Sequence, residues 1–94
     1  MPRQAIPDVI KREHVRTALR QLRAGVTHDF GSPRTWEVVD DTGNRFAPKA
    51  VIGLAHEAAT GVRLHPDDFS SGEAKGQAVG YLRALGFKVR RIGS

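Results

Sequence analysis

Two hydroxyls and a bare backbone, Ser70-Ser71-Gly72, precede an apolar stripe with helical spacing, and Lys75 follows them. Free amides at a helix start sit at the positive end of the helix dipole and attract anions. A residue without a side chain, here Gly72, lets a ligand approach the backbone closely. The pattern predicts a phosphate seat or a simple cap, with Glu73 as the reciprocal capping partner. Lys49 raises the same question one helix earlier. A cation in a first turn opposes the dipole, and a bound anion would offset that cost, as would ordinary tolerance. Lys88, Arg90 and Arg91 form a third cationic group near the end of the chain, and Arg34 and Arg45 stand on either side of a predicted strand.

The stretch VTHDFGSPR (26–34) supplies a different chemistry. Gly31 and Pro33 make it a loop, and His28, Phe30 and Ser32 are its candidates for reaching a base edge. Trp36, the single tryptophan, lies where this loop enters the strand. Two readings stay open for Trp36 and for Phe30: a core ring, or an aromatic wall beside a base or a methyl group.

Bond-breaking chemistry finds little support. The four histidines, His14, His28, His56 and His65, show neither the i, i+4 pairing nor the cysteine partners of metal sites. His65 with Asp67 and Asp68 reads more simply as a turn and helix entry than as a ligand set. There is no nucleophile elbow, and Gly61 and Gly72 lack the Gly-Lys-Ser/Thr of a phosphate-binding loop. No catalytic residue, metal ligand or cofactor is assigned, and a binding module is expected rather than an enzyme.

The elements that must hold these residues follow from periodicity. Residues 1–10 carry two prolines and read as a lead-in, with Ile6, Val9 and Ile10 tucked onto the core. A domain over 11–92 begins with a helix whose stripe is Val15, Ala18, Leu19 and Leu22, stopped by Gly25. Arg12, Arg16, Arg20 and Arg23 fall on its other face, either as a solvated row or against a phosphate strand. Trp36 and Val38 alternate with Glu37 and Val39 as in a strand, and the turn 40–44 (DDTGN) leads to a return strand at 45–47. Pro48 starts a second helix with stripe Val51, Leu54, Ala55 and Ala58, ended by Thr60-Gly61. A third helix, starting at Ser70 or Ser71, places Ala74, Ala78, Leu82 and Leu85 inward, and Phe87, Val89 and Ile92 mark a last strand. The prediction is a small α+β domain in the order α-β-β-α-α-β, with a three-stranded sheet packed against helices on one side.

Composition sets the partner class. Fifteen Lys plus Arg against ten Asp plus Glu give a net charge of +5. That balance in a short chain points to an anionic partner, nucleic acid first. The absence of cysteine excludes disulfides and thiol chemistry, and together with the lack of a long apolar run it leads us to expect a cytoplasmic protein without membrane contact.

Several residues together resemble a known family. These are Phe46 with Lys49-Ala50 and Gly53, then Phe69-Ser70-Ser71-Gly72-Glu73, then Leu82, Leu85-Gly86-Phe87 and Val89. In order and spacing they resemble the N-terminal head module of McrA-type restriction endonucleases, HNH enzymes that attack modified DNA. The resemblance implies a reader of double-stranded DNA carrying 5-methylcytosine or 5-hydroxymethylcytosine, acting without base flipping. It also implies a linked or associated HNH nuclease, since no HNH motif stands in this sequence. The family head often has a second glycine where Ser71 stands. On this reading Arg34, Arg45, Lys49, Ser70, Ser71, Gly72 and Lys75 set register on phosphates, while Trp36 and the loop of His28, Phe30 and Ser32 probe the base. The alternatives are a DNA tether indifferent to modification and a protein-interaction domain.

Overall fold

In the computed structural model, residues 5–28, 30 and 35–92 are described. They fold as helix α1 (Arg12–Arg23), strands β1 (Trp36–Val39) and β2 (Arg45–Phe46), helix α2 (Pro48–Thr60), a 3-10 turn (Pro66–Asp68), helix α3 (Ala78–Ala84) and strand β3 (Lys88–Arg91). The order α-β-β-α-α-β and the α+β class are those expected from the sequence.

The core is built around α2. Pro48 opens it where a missing N–H costs nothing. Gly61 closes it in the left-handed conformation (φ 85°), its amide donating to the Glu57 carbonyl at 2.7 Å. The sequence predicts a single buried stripe, but every residue from Ala50 to His56 is buried, whereas Ala58 is exposed. The reason is that α1, α3 and β1 all pack on this helix, and a helix enclosed on several sides has no wet face to reserve for polar residues. Each large side chain so enclosed, such as Ile52 or Leu54, contributes about 1.5–3 kcal/mol.

Helix α1 adds Val15, Ala18 and Leu19 to that core and leaves Arg12, Arg16, Arg20 and Arg23 exposed on its outer side. The three strands form one antiparallel sheet in the order β2-β1-β3. Val38 lies opposite both Phe46 and Val89 and is wholly buried. Glu37 and Val39 project from the other face, opposite Arg90 and Lys88 on β3, with Arg45 of β2 also opposite Val39. In the β1–β2 turn, Gly43 takes a positive φ (86°) and Asn44 does not.

Two expectations need correction. Helix α3 does not start at Ser70 or Ser71; its cap is Gln77, and residues 70–77 are irregular. Gly80 explains the delay. A Cβ there would meet the Glu73 carbonyl oxygen at 2.5 Å, so the 73–74 backbone already lies across the first turn of the helix. Ala74 is accordingly exposed instead of lining the core. The lead-in also differs in detail: Ile6 and Ile10 are buried, but Val9 is 40% exposed. Ile10 is tied down by Tyr81, whose hydroxyl accepts from its amide at 3.1 Å and donates to its carbonyl at 2.9 Å.

Gly53 carries a second packing constraint. The ring of Phe30, itself buried, fills the place where a Cβ would stand, with Cε2 only 2.7 Å from it and the Leu64 carbonyl oxygen at 3.2 Å. Gly53→Ala would gain about 1 kcal/mol in helix propensity, but overpacking costs about 1–3 kcal/mol, and the ring is backed by Phe69 at 6.4 Å. We expect a net loss near 1 kcal/mol in urea unfolding, partly recovered by adding Phe30→Leu. A Gly53→Ala protein more stable than wild type would contradict the packing argument.

Candidate nucleic-acid interface

The cationic side chains fall into two kinds: those held by the fold and those facing outward. Lys49 belongs to the first. Its ammonium donates to the Pro66 carbonyl at 2.9 Å and lies 5.5 Å from the centre of the Phe69 ring. The partner that compensates for a cation at the start of α2 is therefore the chain's own carbonyl and ring. Arg63 is likewise structural. It grips Glu57 through Nε and Nη2 at 3.2 and 3.1 Å and donates from Nη1 to the Thr27 carbonyl at 2.7 Å, pinning the loop that carries His28 and Phe30.

The Ser70–Gly72 seat does not form as expected. The amides of Ala78 and Gly80, at the start of α3, donate to the carbonyls of Ser70 and Gly72 at 2.8 and 3.1 Å. Those carbonyls occupy donors that an anion would need, and the space beside Gly72 is filled by the Gln77 side chain. Lys75 is exposed on the rim of a different groove, an apolar one that includes Ile6, Ile10 and Tyr81.

Of the base-probing candidates, Phe30 is buried in the core, and His28 accepts the Phe30 amide on Nδ1 at 3.1 Å. Ser32 and Arg34 lie outside the described residues. Trp36 is half-buried, with the Arg83 guanidinium 5.1 Å above its ring. Arg83 is fixed there by Glu73 at 2.6 Å and the Val89 carbonyl at 3.0 Å. Trp36 shares the core-side face of β1 with Val38, whereas Arg45 lies on the opposite side of the sheet, so the predicted residues do not converge on one spot.

The histidines serve local backbone. Lys11 N–H donates to His14 Nδ1 at 2.9 Å, and Asp67 N–H donates to His65 Nδ1 at 3.3 Å. His56 Nδ1 lies 2.6 Å from the Val62 carbonyl, which can only accept, so this nitrogen carries the proton. Among the described residues, no group of three or more His, Asp or Glu is placed to hold a metal ion.

What the fold does assemble is a groove of about 560 Å³ between α1 and the end of the sheet, lined by Arg12, Arg16, Arg20, Arg23 and Lys88 with Leu19, Val39, Phe87, Asp40 and Asp41. The arginine row and Lys88 are distant in sequence, and only the antiparallel pairing of β3 with β1 brings them together. Sequence reasoning names these cations separately, Lys88 in the terminal basic run and the arginines as a row on α1, and does not join them in one site. The signal is present in the four-residue spacing of the row, but the same spacing fits a solvated helix face. Arg12 is anchored by donating to the Leu85 carbonyl at 2.9 Å, with its head 5.4 Å from the Phe87 ring. The side chains of Arg16 and Lys88 are exposed and have no hydrogen-bond or ion-pair partner among the described residues.

Asp40 joins the two walls. Its Oδ2 accepts from Arg23 at 3.0 Å, and its Oδ1 accepts the amides of Thr42 and Asn44, each at 2.9 Å, and the Thr42 hydroxyl at 2.8 Å. Partial burial pushes this carboxyl up, but the bonds from Thr42, Arg23 and Asn44 outweigh it and take the pKa from 3.8 to about 2.

The fold is thus a small α+β domain with a groove lined by five cationic side chains. The chain matches the family of ScoMcrA-like N-terminal head domains over residues 8–91, nearly its whole length, and it belongs to that family. It is thus a domain of McrA-type restriction proteins. No curated protein and no solved structure matches it. No helix among the described residues is long and apolar enough to cross a membrane.

The Asp40 shift gives a pH signature. A carboxyl with a depressed folded-state pKa adds stability that is complete above the unfolded value and disappears as the pH falls toward the folded one. Wild type should therefore lose stability between pH 4 and pH 2 more steeply than Asp40→Asn. Urea midpoints at closely spaced pH values would show it, and parallel curves for the two proteins would rule it out.

Proposed function

We propose that this head domain binds duplex DNA through the groove between α1 and the sheet. The observation that carries the reading is the meeting of Arg12, Arg16, Arg20 and Arg23 with Lys88 around one groove whose only acids, among the described residues, are Asp40 and Asp41. The row from Arg12 to Arg23 is about 16 Å long at 1.5 Å per residue, which matches the rise of about five phosphates along one strand. Arginine suits the task because its planar head engages phosphate through paired donors.

The finer reading is a preference for 5-methylcytosine or 5-hydroxymethylcytosine without base flipping, in the service of an HNH nuclease domain. Membership of the McrA-type head family supports it, as does the place of the partly buried Trp36 at the junction between loop and strand. A 5-methyl group projects into the major groove, where an apolar surface can read it. The domain itself acts as a binder, and cleavage belongs to the nuclease.

Titration of one duplex at several salt concentrations tests the groove. Log affinity should fall linearly with log salt, and Arg16→Ala and Lys88→Ala should each reduce the slope by about 0.9 for every phosphate left without its cation. Binding independent of salt would refute the reading. The same duplex with cytosine, 5-methylcytosine or 5-hydroxymethylcytosine tests the finer one: tighter binding to a modified form supports it, and equal affinities leave a tether indifferent to modification.

A further inference from the structure

We propose that Arg45 and Arg90 form a second phosphodiester-binding site, a two-guanidinium clamp on the outer face of the sheet, and that Glu37 is the residue that positions it. This deepens the duplex-binding reading and rests on it.

Glu37 is a charged residue in a buried place, only 5% exposed. A buried carboxylate is costly unless paired, and each of its oxygens faces an arginine. Oε1 accepts from Arg90 Nε at 2.6 Å, and Oε2 lies 3.8 Å from Arg45 Nε. The register produces this arrangement, since Glu37 is opposite Arg90 while Arg45 is opposite Val39, the next residue along the same face.

The manner of contact points to a ligand. Arg63 closes on Glu57 with two nitrogens, Nε and Nη2. Arg45 and Arg90 both approach Glu37 through Nε, and their side chains remain 62% and 47% exposed. The Nη ends of both heads have no hydrogen-bond partner among the described residues. Those ends are the donors that grip a phosphate through two parallel bonds.

Charge identifies the ligand class. Two guanidiniums against one carboxylate leave a surplus of one positive charge, which one phosphodiester monoanion would balance. Lys88 lies on the same face and also lines the α1 groove. The clamp therefore continues the groove across the sheet and extends the contact along the duplex.

Duplex titration against salt, with Arg16→Ala as a reference, tests the clamp. Arg45→Ala and Arg90→Ala should each weaken binding about fivefold to tenfold. The double variant should lower the salt slope by about 0.9 and no more, because both heads serve one phosphate. Glu37→Gln is the test of positioning. Removal of an acid raises the net charge by one and by itself tightens binding to DNA, whereas loss of the anchor should weaken it about threefold. Tighter or unchanged binding by Glu37→Gln overturns the positioning role, and if that variant does not fold, the arginine pair decides. An arginine double variant with wild-type affinity and slope, while Arg16→Ala still weakens binding, overturns the clamp alone. Weakening by the clamp variants with no effect of Arg16→Ala or Lys88→Ala overturns the groove and leaves the clamp standing. A wild-type protein that binds no duplex overturns both.

Discussion

The enclosure of α2 governs the rest of the molecule. A chain of 94 residues has little apolar surface to spare, and this one uses it to surround a single helix from Ala50 to His56. Once that helix is covered by α1, α3 and β1, the covering elements must turn their polar sides outward. The arginines of α1 and the outer face of the sheet thus have no other place to go. Gly53 sets how closely one part of the cover approaches, since the Phe30 ring takes the volume a side chain would need.

This enclosure also explains which cations are structural. Lys49 sits where α2 emerges from the core, next to the 3-10 turn, and the nearest acceptor is the Pro66 carbonyl. Arg63 does similar work at the other end of the helix, closing on Glu57 and Thr27. In sequence, Lys49 reads as a seat for an external anion or as ordinary tolerance, and Arg63 draws no assignment. Their partners include backbone oxygens brought from elsewhere in the chain, and residue type gives no hint of them.

Periodicity reveals most of the architecture. The stripe Val15, Ala18, Leu19 marks α1, Pro48 and Gly61 bracket α2, and alternation around Val38 and Val89 marks two strands. The start of α3 is misplaced by sequence reasoning because Ser70, Ser71 and Glu73 satisfy the local rules of a capping box. A tertiary contact prevails there: the 73–74 backbone crosses the helix at Gly80. The groove is illegible for a related reason. Its arginine wall is readable as a row, but its significance depends on Lys88, Asp40 and Phe87 arriving from the far side of the fold, and no pattern within one helix encodes that. Glu37 is visible as an outward strand residue, but the two arginines that flank it come from β2 and β3, which its own strand does not encode.

The position of β3 has a consequence for self-association. In the order β2-β1-β3 it is a border strand, and a border strand offers unpaired backbone groups to any extended segment that drifts against it. Three of its four residues, Lys88, Arg90 and Arg91, are cationic. A second copy docking border to border would set like charges against one another across the new ladder, which disfavours it. The cationic residues of this border thereby guard the sheet from lengthening into a fibre.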